Sequence, residues 1–260
     1  MTSDSINDEN TAPIEVEQSA PVPNDNPTPW VIKDVQFEKS GTHRAHFPKE
    51  PVLPEVAFVG RSNVGKSSLL NLLVNRKRLA HVSSTPGRTQ LVNFFRVNED
   101  TRLVDLPGYG FAKAPKDVKK HWDKMITNYL LGNRQLRLVV TLFDARRTPN
   151  EEDSGLLDWL KHYEMPFLAV ITKADKLNRS DQARAKKELS KWLEPWGPVN
   201  VILSSSLKRS GRDEILAEIG RMLAQPARTW LSTKEKEELE QLEAEEGAAN
   251  APSASAGEQE

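Results

Sequence analysis

The sequence predicts an α/β fold with a mostly parallel central sheet and helices on both faces. From residue 55 to residue 224, short apolar runs alternate with segments of helical spacing. Such alternation builds βαβ units, whose strands lie parallel. Several of the runs are apolar throughout, as strands buried on both faces are.

The elements follow in order. EVAFVG (55–60) reads as an apolar strand and SSLLNLLVN (67–75) as a helix. LVNFFRVN (91–98) and TRLVDLPG (101–108) read as a strand pair around a tight turn at Glu99-Asp100. Residues 116–131 form an amphipathic helix pattern, and RLVVTLFDA (137–145) a buried strand. EEDSGLLDWLKHY (151–163) opens with carboxylates, which favour a helix N-terminus. PFLAVITKAD (166–175), a helix over about 181–194, VNVILSSS (199–206) and a helix over about 211–224 complete the pattern. WVIKDVQFEKSG (30–41) adds a strand ahead of it.

Charge divides the chain differently. The 260 residues carry a net −1. Residues 1–29 hold −6 and residues 235–260 hold −8, which leaves +13 on residues 30–234. A basic body suits a polyanionic partner such as RNA, although a solvated basic surface would also account for it. Hydrophobic residues make up 37%, below the about 45–50% of globular chains, as expected for a folded centre between polar tails. Three regions are expected: a disordered acidic tail over 1–29, a domain over 30–231, and an acidic, partly helical or disordered tail over 232–260. With no cysteine, disulfides and thiolate metal sites are excluded. No apolar run approaches the roughly 18 residues of a membrane span, and the acidic start is unlike a signal peptide, so a cytoplasmic protein is expected.

GRSNVGKS (60–67) fits the phosphate-loop pattern G-x-x-x-x-G-K-[ST]. Its members are Gly60, Arg61, Ser62, Asn63, Val64, Gly65, Lys66 and Ser67. The glycines let backbone N–H groups turn inward on phosphate oxygens, and the helix N-terminus adds its dipole. Lys66 would neutralise the β- and γ-phosphates, and the Ser67 hydroxyl would hold Mg²⁺. A strand before and a helix after supply the context the pattern requires.

Three later stretches choose among phosphate ligands. DLPG (Asp105, Leu106, Pro107, Gly108) ends a strand. There Asp105 reaches Mg²⁺ through water and the Gly108 N–H meets a γ-phosphate, unless DLPG is an ordinary turn. TKAD (Thr172, Lys173, Ala174, Asp175) ends another strand. Asp175 can accept from guanine N1–H and the 2-amino group, a donor pair that adenine lacks. Lys173 can lie along base and ribose. In Ser204, Ser205 and Ser206, backbone N–H groups would meet guanine O6, although alone the three serines read as a helix cap. Each stretch closes a predicted parallel strand at its C-terminal end, where ligands bind in open α/β sheets. Together they read as a guanine-nucleotide site.

SSTPGRTQLVNFF (83–95), DLPGYGFA (105–112), TKADKL (172–177) and SSSLKRSG (204–211) resemble the EngB (YihA/YsxC) family of GTPases, within the TrmE–Era–EngA–YihA–septin group. The resemblance covers about residues 30 to 230 and implies a P-loop GTPase fold. It implies that Gly87, Arg88, Thr89, Gln90 and Leu91 form the first switch, with Thr89 joining Ser67 on Mg²⁺. It makes Lys66, Thr89 and Gly108 the groups closest to catalysis. It also implies a role in assembling the large ribosomal subunit, with rRNA as partner, and a link to cell division and septation. A monomer is expected. Thr172 stands where many GTPases carry asparagine.

Two positions bear on turnover. Tyr109 follows DLPG where Ras-like GTPases place a water-orienting glutamine, so slow intrinsic hydrolysis is expected. Asn63 occupies the loop position that helps bind K⁺ in related GTPases. Residues 83–90 are expected to be mobile without the γ-phosphate.

Overall fold

A computed structural model describes residues 29–76, 79, 91–110, 116–227, 231 and 233–249. Seven strands form one sheet: β1 (Val35–Gly41), β2 (Glu55–Gly60), β3 (Val92–Val97), β4 (Thr101–Asp105), β5 (Leu136–Asp144), β6 (Phe167–Thr172) and β7 (Val201–Leu203). Their spatial order is β1-β3-β4-β2-β5-β6-β7. The pairings from β4 to β7 are parallel, and β1–β3 and β3–β4 are antiparallel. The helices are α1 (Lys66–Leu73), α2 (Lys116–Leu130), α3 (Glu151–His162), α4 (Arg179–Leu193), α5 (Arg212–Leu223) and α6 (Thr233–Ala249). The expected α/β architecture is thus present.

Every residue of β2 is buried, because both faces of the sheet are covered. Ala57 and Val59 point into one core with Leu130, Leu157 and Leu193 from α2, α3 and α4. Val56 and Phe58 point into the other with Leu70, Leu73, Ile215 and Ile219 from α1 and α5. This two-residue period is what a strand between two helix layers requires.

The β3–β4 turn spans residues 98–100, so the expected Glu99-Asp100 lie within it, preceded by Asn98. Asn98 and Glu99 both have positive φ (50° and 62°), and the Asp100 N–H donates to the Val97 carbonyl at 3.2 Å. Val97 pairs with Thr101, which makes this a three-residue loop, and asparagine tolerates the left-handed conformation at its start. The Asn98 amide also donates to the Val31 carbonyl at 2.7 Å and accepts from the Lys33 N–H at 2.8 Å, tethering the segment before β1.

The acidic run after residue 232 forms α6, which docks on the domain. A Glu235 carboxylate oxygen accepts from the Gly132 N–H at 3.3 Å, the Tyr163 hydroxyl donates to Glu238, and Leu239 and Leu242 pack against the first core. Leu239 also lies against Gly132, just past α2. Among the described residues no helix is long and apolar enough to cross a membrane.

A buried ionic cluster holds the edge of the sheet away from the nucleotide loops. Arg102, 1% exposed, donates to both Glu38 carboxylate oxygens at 2.8 and 3.0 Å and lies 3.8 Å from Glu55. Glu55 Oε2 accepts from the Tyr129 hydroxyl and the Asn133 amide, both at 3.0 Å. Burial pushes the Glu55 carboxyl above its usual range despite those bonds. Arg102→Met would leave two carboxylates facing each other with only Arg96 on Glu38. It is expected to destabilise the fold by about 3–5 kcal/mol in urea denaturation, and an unchanged midpoint would contradict the cluster's role.

Candidate functional site

The loop between β2 and α1 wraps because its backbone leaves the common regions twice. Gly65 has φ 109°, which residues with a side chain rarely adopt, and Asn63 has φ 62°. Val64 between them is buried and anchors the loop in the second core. Lys66 and Ser67 then open α1. The Lys66 ammonium donates to the Asp105 carboxylate at the end of β4, so the lysine and the carboxylate read from separate motifs meet. Both side chains are nearly buried, 11% and 6% exposed, and the pairing satisfies each.

DLPG lies directly on this loop. The Ser62 N–H donates to the Tyr109 carbonyl at 2.8 Å, and the Tyr109 N–H to the Gly60 carbonyl at 3.2 Å. A Cβ on Gly108 would stand 3.0 Å from Ser62 Oγ and 3.1 Å from its backbone, so a side chain there would crowd the phosphate loop. Leu106 is buried in the first core, and the Pro107 carbonyl accepts from Trp122 Nε1 at 2.9 Å. Tyr109 is buried, packs edge-on to Trp122, and donates its hydroxyl to Asp153 at 2.7 Å. Burial, then the Asp153 charge, raises its pKa well above the usual tyrosine range, so it is neutral at physiological pH. Asp153 in turn accepts from the Asn150 N–H at 2.9 Å in the capping box of α3. The residue after DLPG is therefore an anchor to α3.

TKAD joins the phosphate loop from the end of β6, across β5. The Thr172 hydroxyl, buried, lies 2.6 Å from the Val64 carbonyl and 3.1 Å from that of Phe143 and donates between them. A threonine thus ties the two motifs by its hydroxyl. Lys173, with φ 58°, donates its ammonium to the Asn63 carbonyl at 2.5 Å and to Asp144 at 2.8 Å. Ala174 is buried and donates its N–H to the Ser204 carbonyl at 3.1 Å.

The serine segment works differently from its sequence reading. The Ser204 and Ser205 N–H groups are taken by the Ile171 and Ser210 carbonyls, at 2.7 and 3.2 Å. What Ser205 contributes is its hydroxyl, which donates to Asp175 Oδ1 at 2.6 Å and accepts from the Lys208 N–H at 3.1 Å. That hydroxyl foremost, with Lys176 and Lys208 further off, holds the Asp175 carboxyl below its usual range. Ser206 is exposed at the start of the loop.

Gly60, Arg61, Ser62, Asn63, Val64, Gly65, Lys66, Ser67, the DLPG residues, TKAD and the serines therefore converge on one end of the sheet. Leu91 stands at its margin, 40% exposed, just ahead of β3. Gly87, Arg88, Thr89 and Gln90, with the expectation of mobility over 83–90, lie outside the described residues, as do residues 1–28 and 250–260. The donor set suits a hard cation in part: the Ser67 hydroxyl and Asp105 carboxylate are oxygen ligands of the kind Mg²⁺ takes. Among the described residues no group of three or more His, Cys, Asp or Glu side chains forms a separate metal cluster.

Sequence reasoning passed over Asp144, Asp153 and the Ser205 hydroxyl. Asp144 ends β5 and is buried; Arg146 grips it through Nε and Nη2, at 2.9 and 2.8 Å. Burial alone would raise its pKa, but the Arg146 and Lys173 hydrogen bonds outweigh that and hold it far below the usual range. The local signal was only a carboxylate at a strand end.

Residues 55–173 match the family described as 50S ribosome-binding GTPase. The chain is 51% identical over 194 residues to the "Probable GTP-binding protein EngB" of Geobacter sulfurreducens, covering 75% of this chain and 93% of that protein. It is 51% identical over 193 residues to the protein of the same name from Geobacter metallireducens, covering 74% and 94%. The fold is similar to a crystal structure of a probable GTP-binding protein engB, with TM-score 0.54 and 22% identity over 65% of this chain and 98% of that one. It is also similar to Era in complex with MgGDPNP and 16S ribosomal RNA nucleotides, with TM-score 0.54 and 23% identity over 68% and 59%. Identity of one half along nearly the whole length of the Geobacter proteins places the chain in the EngB family of GTP-binding proteins.

Proposed function

We propose that the protein hydrolyses GTP to GDP as a switch in assembly of the large ribosomal subunit, with rRNA as its partner and with normal cell division and septation depending on it. The observation that carries the nucleotide reading is Asp175, whose carboxylate is held by the Ser205 hydroxyl at 2.6 Å, just beyond Thr172 and Lys173, which bond to the phosphate loop. A fixed carboxylate acceptor there pairs with guanine's two donors and is left unpaired against adenine. The ribosomal reading draws on the +13 body and on the description of the matched family. The protein is read as a cytoplasmic monomer.

Hydrolysis requires water to attack the γ-phosphorus while the bond to the β–γ bridging oxygen breaks. The loop N–H groups and Lys66 would neutralise charge on the transferring group, and the Gly108 N–H is read as a donor to the γ-phosphate. For Lys66 this means exchanging Asp105 for phosphate. Ser67 and Thr89 would hold Mg²⁺, with Asp105 through water; the ion supplies further charge at the phosphate oxygens. Asn63 is exposed at the loop and is the residue read as a K⁺ ligand. Gly87 to Leu91 and DLPG are read as the switches, held by the γ-phosphate and released on its loss.

One observation favours a second reading, a GTP-binding interaction module with little intrinsic hydrolysis. Tyr109 is committed to Asp153 in the core and cannot orient a water as a glutamine would. A general RNA-binding GTPase is the third alternative.

Three measurements test these readings. Asp175→Asn is expected to weaken GDP binding by about tenfold or more and to improve xanthosine diphosphate binding, because the amide can donate to a C2 carbonyl; calorimetric titration of both ligands reads this. Co-sedimentation with 50S, 30S and precursor particles at fixed salt is expected to show large-subunit binding with a GTP analogue and not with GDP. Weak, nucleotide-independent binding to every particle would reduce the basic body to non-specific attraction. GTPase rates in KCl should exceed those in NaCl at equal ionic strength; equal rates would remove Asn63 from K⁺ binding.

A further inference from the structure

We propose that Asp144 is a positioning residue for nucleotide binding: it fixes the Lys173 ammonium against the Asn63 carbonyl of the phosphate loop. The proposal rests on the assignment of Lys173 to the nucleoside. Asp144 is the last residue of β5 and stands opposite Thr172 in the β5–β6 register. Its side chain is 5% exposed, whereas that of Lys173 is 28% exposed. Asp144 Oδ2 accepts from Lys173 Nζ at 2.8 Å, and the same ammonium donates to the Asn63 carbonyl at 2.5 Å.

The carboxylate is itself immobilised. Oδ1 accepts from the Arg146 N–H at 3.1 Å and from Arg146 Nε at 2.9 Å, and Oδ2 accepts from Nη2 at 2.8 Å. A bidentate guanidinium fixes the plane of the carboxylate, so the direction in which Oδ2 presents itself to Lys173 is set. A lysine side chain without such a partner must lose its rotamer freedom when a ligand orders it, which weakens binding. Here that ordering is already present. The pair also brings Asn63 and Lys173, two non-glycine residues with positive φ, to one ammonium. Because Lys173 is assigned to the base and ribose, the effect should fall equally on GDP and GTP.

The test is a double-mutant cycle on the full chain, with GDP and GTP affinities measured calorimetrically. Asp144→Asn is expected to weaken both nucleotides by about tenfold, and Lys173→Met by at least as much. The double variant should bind no more weakly than Lys173→Met alone, because Asp144 acts only through that lysine. Arg146→Met, which keeps the Asp144–Lys173 pair, should cost less than Asp144→Asn. If Asp144→Asn does not fold, Asp144→Glu takes its place: the longer carboxylate displaces the ammonium, and its loss must likewise vanish beside Lys173→Met. Full additivity in the double variant overturns the positioning role while leaving Lys173 at the nucleoside. Unchanged affinity in Lys173→Met instead overturns the assignment of Lys173, and the proposal with it.

Discussion

The site depends on the seam between the phosphate loop and the end of β6. Val64 and Asn63 give their carbonyls to Thr172 and Lys173, so two loops from strands separated by β5 become one surface. The carbonyls of a loop with positive-φ residues cannot all find partners within the loop itself. Borrowing a hydroxyl and an ammonium from β6 solves that problem. It also fixes the distance between the end that meets phosphate and the end that meets a base. The threonine at 172 follows from this geometry. Its hydroxyl is short enough to stay buried between two carbonyls, and the branched side chain suits the strand it ends.

A second tie joins DLPG to the helices. The Tyr109 hydroxyl reaches the N-terminal turn of α3, and Trp122 of α2 donates to the Pro107 carbonyl. Asp153 is shared between capping α3 and accepting from Tyr109. One carboxylate therefore satisfies an orphan N–H at a helix start and a buried phenol at once. The consequence is that the backbone from Pro107 to Tyr109 is fixed on its core side, with Gly108 close against Ser62 of the phosphate loop. Burial of Tyr109 gives this position an anchoring role in place of the water-orienting one that a glutamine has in Ras-like GTPases.

How much of this was legible follows the range of each signal. β2, β5 and β6 are apolar runs of six to nine residues between turn residues, and their bounds agree with the sequence reading within one residue except at the end of β6, which stops at Thr172. The phosphate loop and TKAD are contiguous, so their chemistry is visible without a fold. Asp144, Asp153 and the Ser205 hydroxyl are not. Each acts across 29 to 44 residues of chain, on Lys173, Tyr109 and Asp175, and an isolated aspartate or serine has no local pattern. The hairpin turn, by contrast, is a local signal: Glu99-Asp100 lie within it, and Asn98, which tolerates left-handed φ, begins it one residue earlier.

The acidic run after residue 232 marks the limit of composition as a guide. Glutamate-rich sequence with few apolar residues reads as a partly helical or disordered tail, since too little surface is buried to offset chain ordering. Yet Glu235 is fully buried, its carboxylate accepting from the Gly132 N–H where α2 ends. Helix C-termini turn into loops through residues such as Gly132, with φ 66°, whose N–H needs a partner. Glu235 supplies one, and Leu239 covers the same glycine, which has no side chain to keep it away. α6 thus docks through a few well-placed contacts at the ends of α2 and α3. Those are the two helices that hold DLPG at the other end of the sheet, and the run that composition assigns to the tail is part of the frame around the site.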